Sequence, residues 1–273
     1  MPEGHSVRRH ARDLLAEFNG QRLDVTSPQG RFAEGAALLD GQVLRRSDAH
    51  GKHLFLGFAA DEKVTHWLHV HLGLYGAWSV ARHGEHDEPP EARGAIRVRL
   101  TGHTATADLR GPTACEVLNP AQKRLVHDRL GSDPLRPRSD PAVAFERISR
   151  SRAPIGGLLM QQEVVAGVGN VYRAEVLFRA GLDPYRPGRE VSAEQWEGMW
   201  QDLVTLMRAG VRAGRIVTTR PQDRERPSGR PRREDSHYVY KRTGRPCRLC
   251  GTAVVAEPFV ARTLYRCPSC QAP

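Results

Sequence analysis

Four cysteines near the end of the chain set the tightest constraint on what it can fold into. Cys247-Arg-Leu-Cys250 and Cys267-Pro-Ser-Cys270 stand sixteen residues apart, a C-x2-C-x16-C-x2-C pattern. Each pair can grip one side of a tetrahedral ion, and the spacer is long enough for a β-hairpin that brings the second pair back to the first. Thr252–Val255 and Thr263–Tyr265 read as its strands. Two disulfides are the competing arrangement. The N-terminal stretch MPEGHSVRRHARDLL has no apolar signal core, and no segment reaches the roughly 20 apolar residues of a membrane span. The expected compartment is therefore the cytoplasm, where thiols stay reduced and a metal is favoured. Four thiolates close the coordination shell, so a single zinc ion here would hold a fold and take no part in chemistry. Cys115 stands alone and reads as a small core residue.

Charge narrows the partner. The 273 residues carry 41 Lys+Arg against 31 Asp+Glu, a net charge of +10, and most of the excess lies between Arg208 and Arg248, with thirteen basic residues and four acids. A local basic block attracts polyanions, nucleic acid first and acidic membranes second. The alternative is a solvated arginine-rich loop. An apolar share of 39% excludes wholesale disorder.

Two regions of different character precede the cysteines. From about residue 20 to 118 short strands alternate with turns, as in Gln42-Val-Leu, His53-Leu-Phe-Leu-Gly-Phe, Val64 to Val70 and Ile96 to Leu100. Ser6 to Phe18 places Val7, Ala11, Leu14 and Leu15 at helical spacing, and His83 to Arg93 is a polar loop. This half predicts a β-sandwich or barrel with an N-terminal helix. Residues 123 to about 219 predict helices over Pro141–Ser149, Val171–Ala180 and Ser192–Ala209, the last opened by a Ser192…Gln195 capping box. The stretch 220–236 is Pro-, Gly- and Arg-rich, a mobile loop or linker.

Two motifs could carry chemistry. Removal of Met1 would leave Pro2 as a free secondary amine, neutral in part at physiological pH. Such an amine attacking a sugar C1′ or an aldehyde gives an iminium, an electron sink, beside which Glu3 could exchange protons. In Val165-Ala-Gly-Val-Gly-Asn-Val-Tyr172, Gly167 and Gly169 allow close backbone approach to a ligand. Asn170 can cap the following helix, whose exposed amides suit a phosphate.

These pieces resemble the formamidopyrimidine-DNA glycosylase/endonuclease VIII family of base-excision repair. The similarity runs in family order through Met1-Pro-Glu-Gly4, Gly51-Lys52, His71-Leu-Gly-Leu-Tyr-Gly76, Leu130-Gly-Ser-Asp-Pro-Leu135, the glycine–asparagine helix start and Val239-Tyr-Lys-Arg-Thr-Gly-Arg-Pro-Cys247. The resemblance implies an α+β multidomain fold: an N-terminal β-sandwich with flanking helices (1–122), a helical domain with a helix–two-turn–helix and an arginine-rich loop (123–236), and a four-cysteine zinc β-hairpin finger (237–273). It implies a bifunctional DNA glycosylase/AP lyase working by an N-terminal proline Schiff base and β,δ-elimination on damaged double-stranded DNA. A monomer is expected, with structural zinc, no small-molecule cofactor and no membrane. By the same resemblance Pro2 is the nucleophile and Glu3 the acid/base. Lys52 is a proton donor and phosphate contact, Asn170 and Arg129 are phosphate ligands, and Arg262 is the finger arginine that assists δ-elimination. The segment 220–236 becomes a cover that orders over lesion-bearing DNA.

Departures point to a branch. The purine-acting members open Pro-Glu-Leu-Pro-Glu, whereas Pro2-Glu3-Gly4-His5-Ser6 lacks the second acid. Leu74-Tyr75 resembles the endonuclease VIII wedge that replaces stacking with an extruded base. Asp108-Leu-Arg110-Gly keeps an arginine near the purine-branch wedge without the following Phe. Oxidised pyrimidines are the expected substrates. A catalytically idle damaged-DNA-binding protein, an enzyme acting mainly as an AP lyase, and one acting on oxidised purines are the alternatives.

Overall fold

The computed structural model describes residues 2–273 and divides into two compact bodies, 2–129 and 130–273. The first body begins with helix α1 (Gly4–Phe18), whose buried face is Val7, Ala11, Leu14 and Phe18, matching the helical spacing in the sequence. Strand β1 (Asp24–Thr26) and helix α2 (Ala33–Leu39) follow, then β2 (Val43–His50), β3 (His53–Ala59), β4 (His66–His71), β5 (Ala77–Arg82), β6 (Ile96–Thr101), β7 (Ala105–Arg110) and β8 (Ala114–Leu118). They form two four-stranded antiparallel sheets, ordered β1-β6-β7-β5 and β2-β3-β4-β8.

Alternation along each strand decides which side faces in. Leu54, Leu56 and Phe58 of β3, Leu68 and Val70 of β4, and Val98, Leu100, Ala107 and Leu109 of the other sheet share one core with α1. Residues 83–94 form an irregular exposed connection, the polar loop seen in the sequence. Helix α3 (Pro120–Asp128) closes this body, opened by an Asn119…Gln122 capping box with Pro120 at its first position.

The second body holds α4 (Pro141–Ser149), capped by Asp140, then α5 (Ile155–Leu158), α6 (Asn170–Arg179) and α7 (Ala193–Ala213). Between α5 and α6 lie turns at 162–164 and 166–167, the helix–two-turn–helix. The predicted Ser192/Gln195 capping box forms, with Gln195 N–H donating to Ser192 Oγ at 3.1 Å and Ser192 N–H to Gln195 Oε1 at 3.0 Å. Trp196, Met199, Trp200, Leu203 and Met207 turn their stripe into the helical core. A hairpin of β9 (Val255–Phe259) and β10 (Arg262–Arg266) ends the chain. It belongs to the same compact body as the helices, because Val254, Cys247 and Cys267 pack on Ala174 and Phe178 of α6. Among the described residues no helix is long and apolar enough to cross a membrane.

Candidate active site and nucleic-acid interface

At the start of the first body Pro2 is half-buried and Glu3 is fully buried as the N-cap residue of α1. Ser6 fixes the Glu3 backbone from both sides. Its Oγ accepts from Glu3 N–H at 3.1 Å and donates to Glu3 C=O at 2.8 Å. A carboxylate at the N-terminus of a fifteen-residue helix meets the positive end of its dipole. Burial pushes the neighbouring His5 imidazole down to about 4, so it is neutral at pH 7. Met1, whose removal would free the Pro2 nitrogen, lies outside the described residues.

One turn further along α1, Arg8 Nη1 reaches Ala49 C=O at 3.5 Å, near the end of β2. That strand runs into the two-residue turn Gly51-Lys52, where Gly51 supplies a left-handed φ of +57°. Lys52 is half-buried there. The turn after β4 presents Leu74 and Tyr75, the latter 87% exposed. Gly76 is required behind them, since a Cβ on it would lie 2.2 Å from Leu72 O. An aromatic ring held clear of its own protein by a tight turn is suited to stacking against something else. Arg129, at the end of α3, is exposed and donates to Leu125 C=O at 3.1 Å. Arg110 is differently placed: it donates to Ser79 Oγ (2.8 Å) and Asp108 Oδ2 (3.0 Å) in its own sheet and to Arg93 C=O (3.1 Å) in the 83–94 connection.

In the second body the structure corrects the expected cap. Gly169 is the N-cap of α6, with an extended backbone, and Asn170 is the first helical residue. Its Nδ2 donates to Thr263 C=O at 3.0 Å, ninety-three residues away on β10. The Arg173 guanidinium donates to the same carbonyl at 3.0 Å and also to Asn170 Oδ1. Asn170 and Arg262, the residue before Thr263, are thereby brought together. The β9–β10 turn beyond them is Val260-Ala261, both in the left-handed region at φ 42° and 54°, with Val260 73% exposed.

Glu175, fully buried on α6, accepts from the backbone N–H groups of Tyr238, Val239 and Tyr240 at 2.8, 2.9 and 2.8 Å, and from Thr218 Oγ1. The Val239-Tyr-Lys segment leading into the finger is thus pinned to the helix that carries Asn170. The four cysteines lie together with all ligand sulfurs within 4.8 Å of one another and form no disulfide. Cys247–Cys270 and Cys250–Cys267 are separated by 3.8 and 3.5 Å. A tetrahedral shell with metal–sulfur bonds of about 2.3 Å has edges of roughly 3.8 Å, so the cluster fits a metal ion.

The arginine-rich stretch has pinned stems. Thr218 N–H donates to Ser236 C=O at 2.9 Å and Thr219 Oγ1 to Asp235 C=O at 2.6 Å. From between the first two cysteines, Arg248 reaches both stems. It donates to Glu234 C=O (2.8 Å) and Asp223 C=O (3.3 Å) and pairs with the Asp235 carboxylate at 3.0 Å.

Sequence reasoning missed a histidine layer on the first body. His53 Nδ1 meets His69 Nε2 at 2.8 Å, His69 Nδ1 meets Glu116 Oε1 at 2.8 Å, and His50 meets His127 at 2.9 Å. The available signal was His at alternate positions, as in Trp67-Leu-His69-Val-His71, which marks one face of a strand.

Comparison with known proteins matches residues 1–115 to the formamidopyrimidine-DNA glycosylase N-terminal domain and 130–222 to the formamidopyrimidine-DNA glycosylase H2TH domain. The chain is 46% identical over 272 residues to Endonuclease 8 1 of Mycobacterium tuberculosis, covering 99% of this chain and 100% of that protein. It is 32% identical over 279 residues to Endonuclease 8 of Escherichia coli, again covering 99% and 100%. Among solved structures it is similar to the MutM (Fpg) protein of Thermus thermophilus, with a TM-score of 0.78, 26% identity and coverage of 99% and 98%. A Lactococcus lactis Fpg complex with abasic-site DNA shares the fold at TM-score 0.80 and 19% identity, covering 99% and 100%.

Proposed function

The chain belongs to the formamidopyrimidine-DNA glycosylase/endonuclease VIII family of DNA glycosylase/AP lyases of base excision repair, and from that premise we propose that Pro2, freed of Met1, is its nucleophile and Glu3 its acid/base. The amine attacks C1′ of the damaged nucleoside, the glycosidic bond breaks and the departing base takes up a proton; the C1′–O4′ bond then opens, with a proton passing to O4′, and leaves an iminium. The resulting iminium acidifies the C2′ proton, whose loss expels the 3′ phosphate. A second elimination, assisted by Arg262, expels the 5′ phosphate. Glu3 is suited to moving these protons because helix α1 and Ser6 hold it beside Pro2.

Lys52 meets DNA from the β2–β3 turn, Asn170 and Arg262 grip backbone phosphates, and exposed Arg129 adds a further phosphate contact. Leu74 and Tyr75 fill the gap left by the extruded base. Arg110 keeps N–H donors beyond its three intramolecular bonds for a contact with DNA. The occupant of the four-cysteine cluster is one zinc ion, which with a closed thiolate shell holds the finger in shape. The exposed Tyr75 and the missing second acid favour oxidised pyrimidines over oxidised purines. The partner is damaged double-stranded DNA, bound by a monomer.

The observation that carries this reading is Pro2 leading directly into the capped, buried Glu3. Borohydride trapping on a duplex with an abasic site tests it. Processed protein should form a covalent adduct, and Pro2→Gly should trap far less at similar DNA affinity. Protein verified to retain Met1 should not trap, because its Pro2 nitrogen is an amide. Full trapping with Met1 in place would sink the assignment.

A further inference from the structure

The face of the β2-β3-β4-β8 sheet opposite the core carries His53 and Phe55 of β3, His69 and His71 of β4, and Glu116 of β8. His53 and His69 are nearly parallel, 14° apart with centroids 5.1 Å distant, and Phe55 stacks on His69 at 4.9 Å. The hydrogen-bond line through them has only one polarity. A carboxylate only accepts, so the proton between Glu116 and His69 sits on His69 Nδ1. Neutral His69 then offers a bare Nε2, which accepts from His53 Nδ1–H. Burial lowers both histidines, His53 to about 3, which keeps them neutral at pH 7. The line is therefore Glu116 ← His69 ← His53, with each imidazole in its Nδ1–H form.

His53 is also the residue immediately after Lys52 and pairs across the turn with His50. His71, whose ring centroid lies 5.0 Å from that of His53, feels the Lys52 charge: after burial, that charge is the largest cause pushing His71 down. Lys52 is thus the chain neighbour of a layer of neutral imidazoles. We propose that Glu116, acting through His69 and His53, is a positioning residue for Lys52. By fixing two imidazole tautomers in series it locks the first residue of β3 and holds the Lys52 turn in the geometry that meets the lesion. The proposal rests on the reading that Lys52 acts at the lesion.

The test joins a spectroscopic and a kinetic measurement on the full chain. Imidazole ¹⁵N shifts at pH 7 should show His69 and His53 as Nδ1–H tautomers. In Glu116→Leu both should move toward the Nε2–H form. Single-turnover excision of thymine glycol from a duplex should then slow by about tenfold to a hundredfold, the scale of a misplaced group, while substrate affinity and borohydride trapping on an abasic duplex stay near wild type. Glu116→Gln keeps an oxygen acceptor for His69 Nδ1–H, so it should restore both tautomers and most of the rate. Wild-type tautomers in Glu116→Leu, or Glu116→Gln as slow as Glu116→Leu, would overturn the proposal. Lys52→Gln separates it from the reading beneath. Full excision by Lys52→Gln removes Lys52 from the reaction and the proposal with it. A Lys52→Gln defect beside an unimpaired Glu116→Leu rejects the proposal alone.

Discussion

Arg248→Met should unfasten the arginine-rich stretch from the knuckle between Cys247 and Cys250. The Arg248 side chain is 9% exposed and its partner Asp235 is 1% exposed. Removing one member of a buried pair strands the other charge and costs about 3–5 kcal/mol. The methionine stem keeps part of the packing, which places the expected loss near the lower end, about 3 kcal/mol. For a body of this size that corresponds to a fall of roughly 6–12 °C in Tm. The loss should be local in origin, because Arg248 holds Asp223 on one stem and Glu234 and Asp235 on the other. Trypsin should then cut sooner after Arg224, Arg232 and Arg233, followed by mass spectrometry, with the metal-to-protein ratio unchanged. Adding Asp235→Asn should recover most of the stability, since no buried charge remains. A wild-type melting temperature and cleavage rate in Arg248→Met would show that the pair holds nothing, and the reasoning would fall with it.

Replacing Arg230, Arg232 and Arg233 with Gln should flatten the salt dependence of DNA binding by about two to three units of log–log slope if all three touch phosphate; an unchanged slope in a titration series would leave them as solvated side chains. Cys267→Ser should lower metal content and weaken DNA binding, while calorimetry should still show the melting of the first body, whose core is its own. Tyr75→Ala should change stability by no more than about 0.5 kcal/mol, as expected of an exposed side chain, yet slow base excision; equal excision rates would remove Tyr75 from the wedge.

The elements that were legible in the sequence are those whose signals are local. Ser192 and Gln195 lie three residues apart and satisfy each other, and the Asp140-Pro141 start of α4 is equally self-contained. The cysteine pairs declare their geometry by spacing alone. Helix α3 escaped because none of its residues is buried, so it has no apolar stripe, although Asn119-Pro120 and Gln122 mark its start. Asn170 misled for the opposite reason. An asparagine before an apolar run reads as a cap, but its partner is a carbonyl on a strand ninety-three residues later, which no local window contains. The histidine layer is of the same kind: His53, His69 and Glu116 come from three strands and meet only when the sheet has assembled.

The way α6 grips the hairpin bears on how such a chain can be taken apart or recombined. Asn170, Arg173 and Glu175 sit within the first two turns of one short helix, and each is bonded to the backbone of the terminal segment, at Thr263 or at 238–240. Val254 and the cysteine stems cover themselves partly with side chains from that helix. A peptide of residues 237–273 charged with metal would keep its thiolate shell but lack the wall behind the hairpin, leaving Arg262 without a fixed direction. A finger borrowed from a relative would keep its four-cysteine metal site and lose its aim unless α6 travelled with it. The smallest exchangeable piece is therefore helix plus finger.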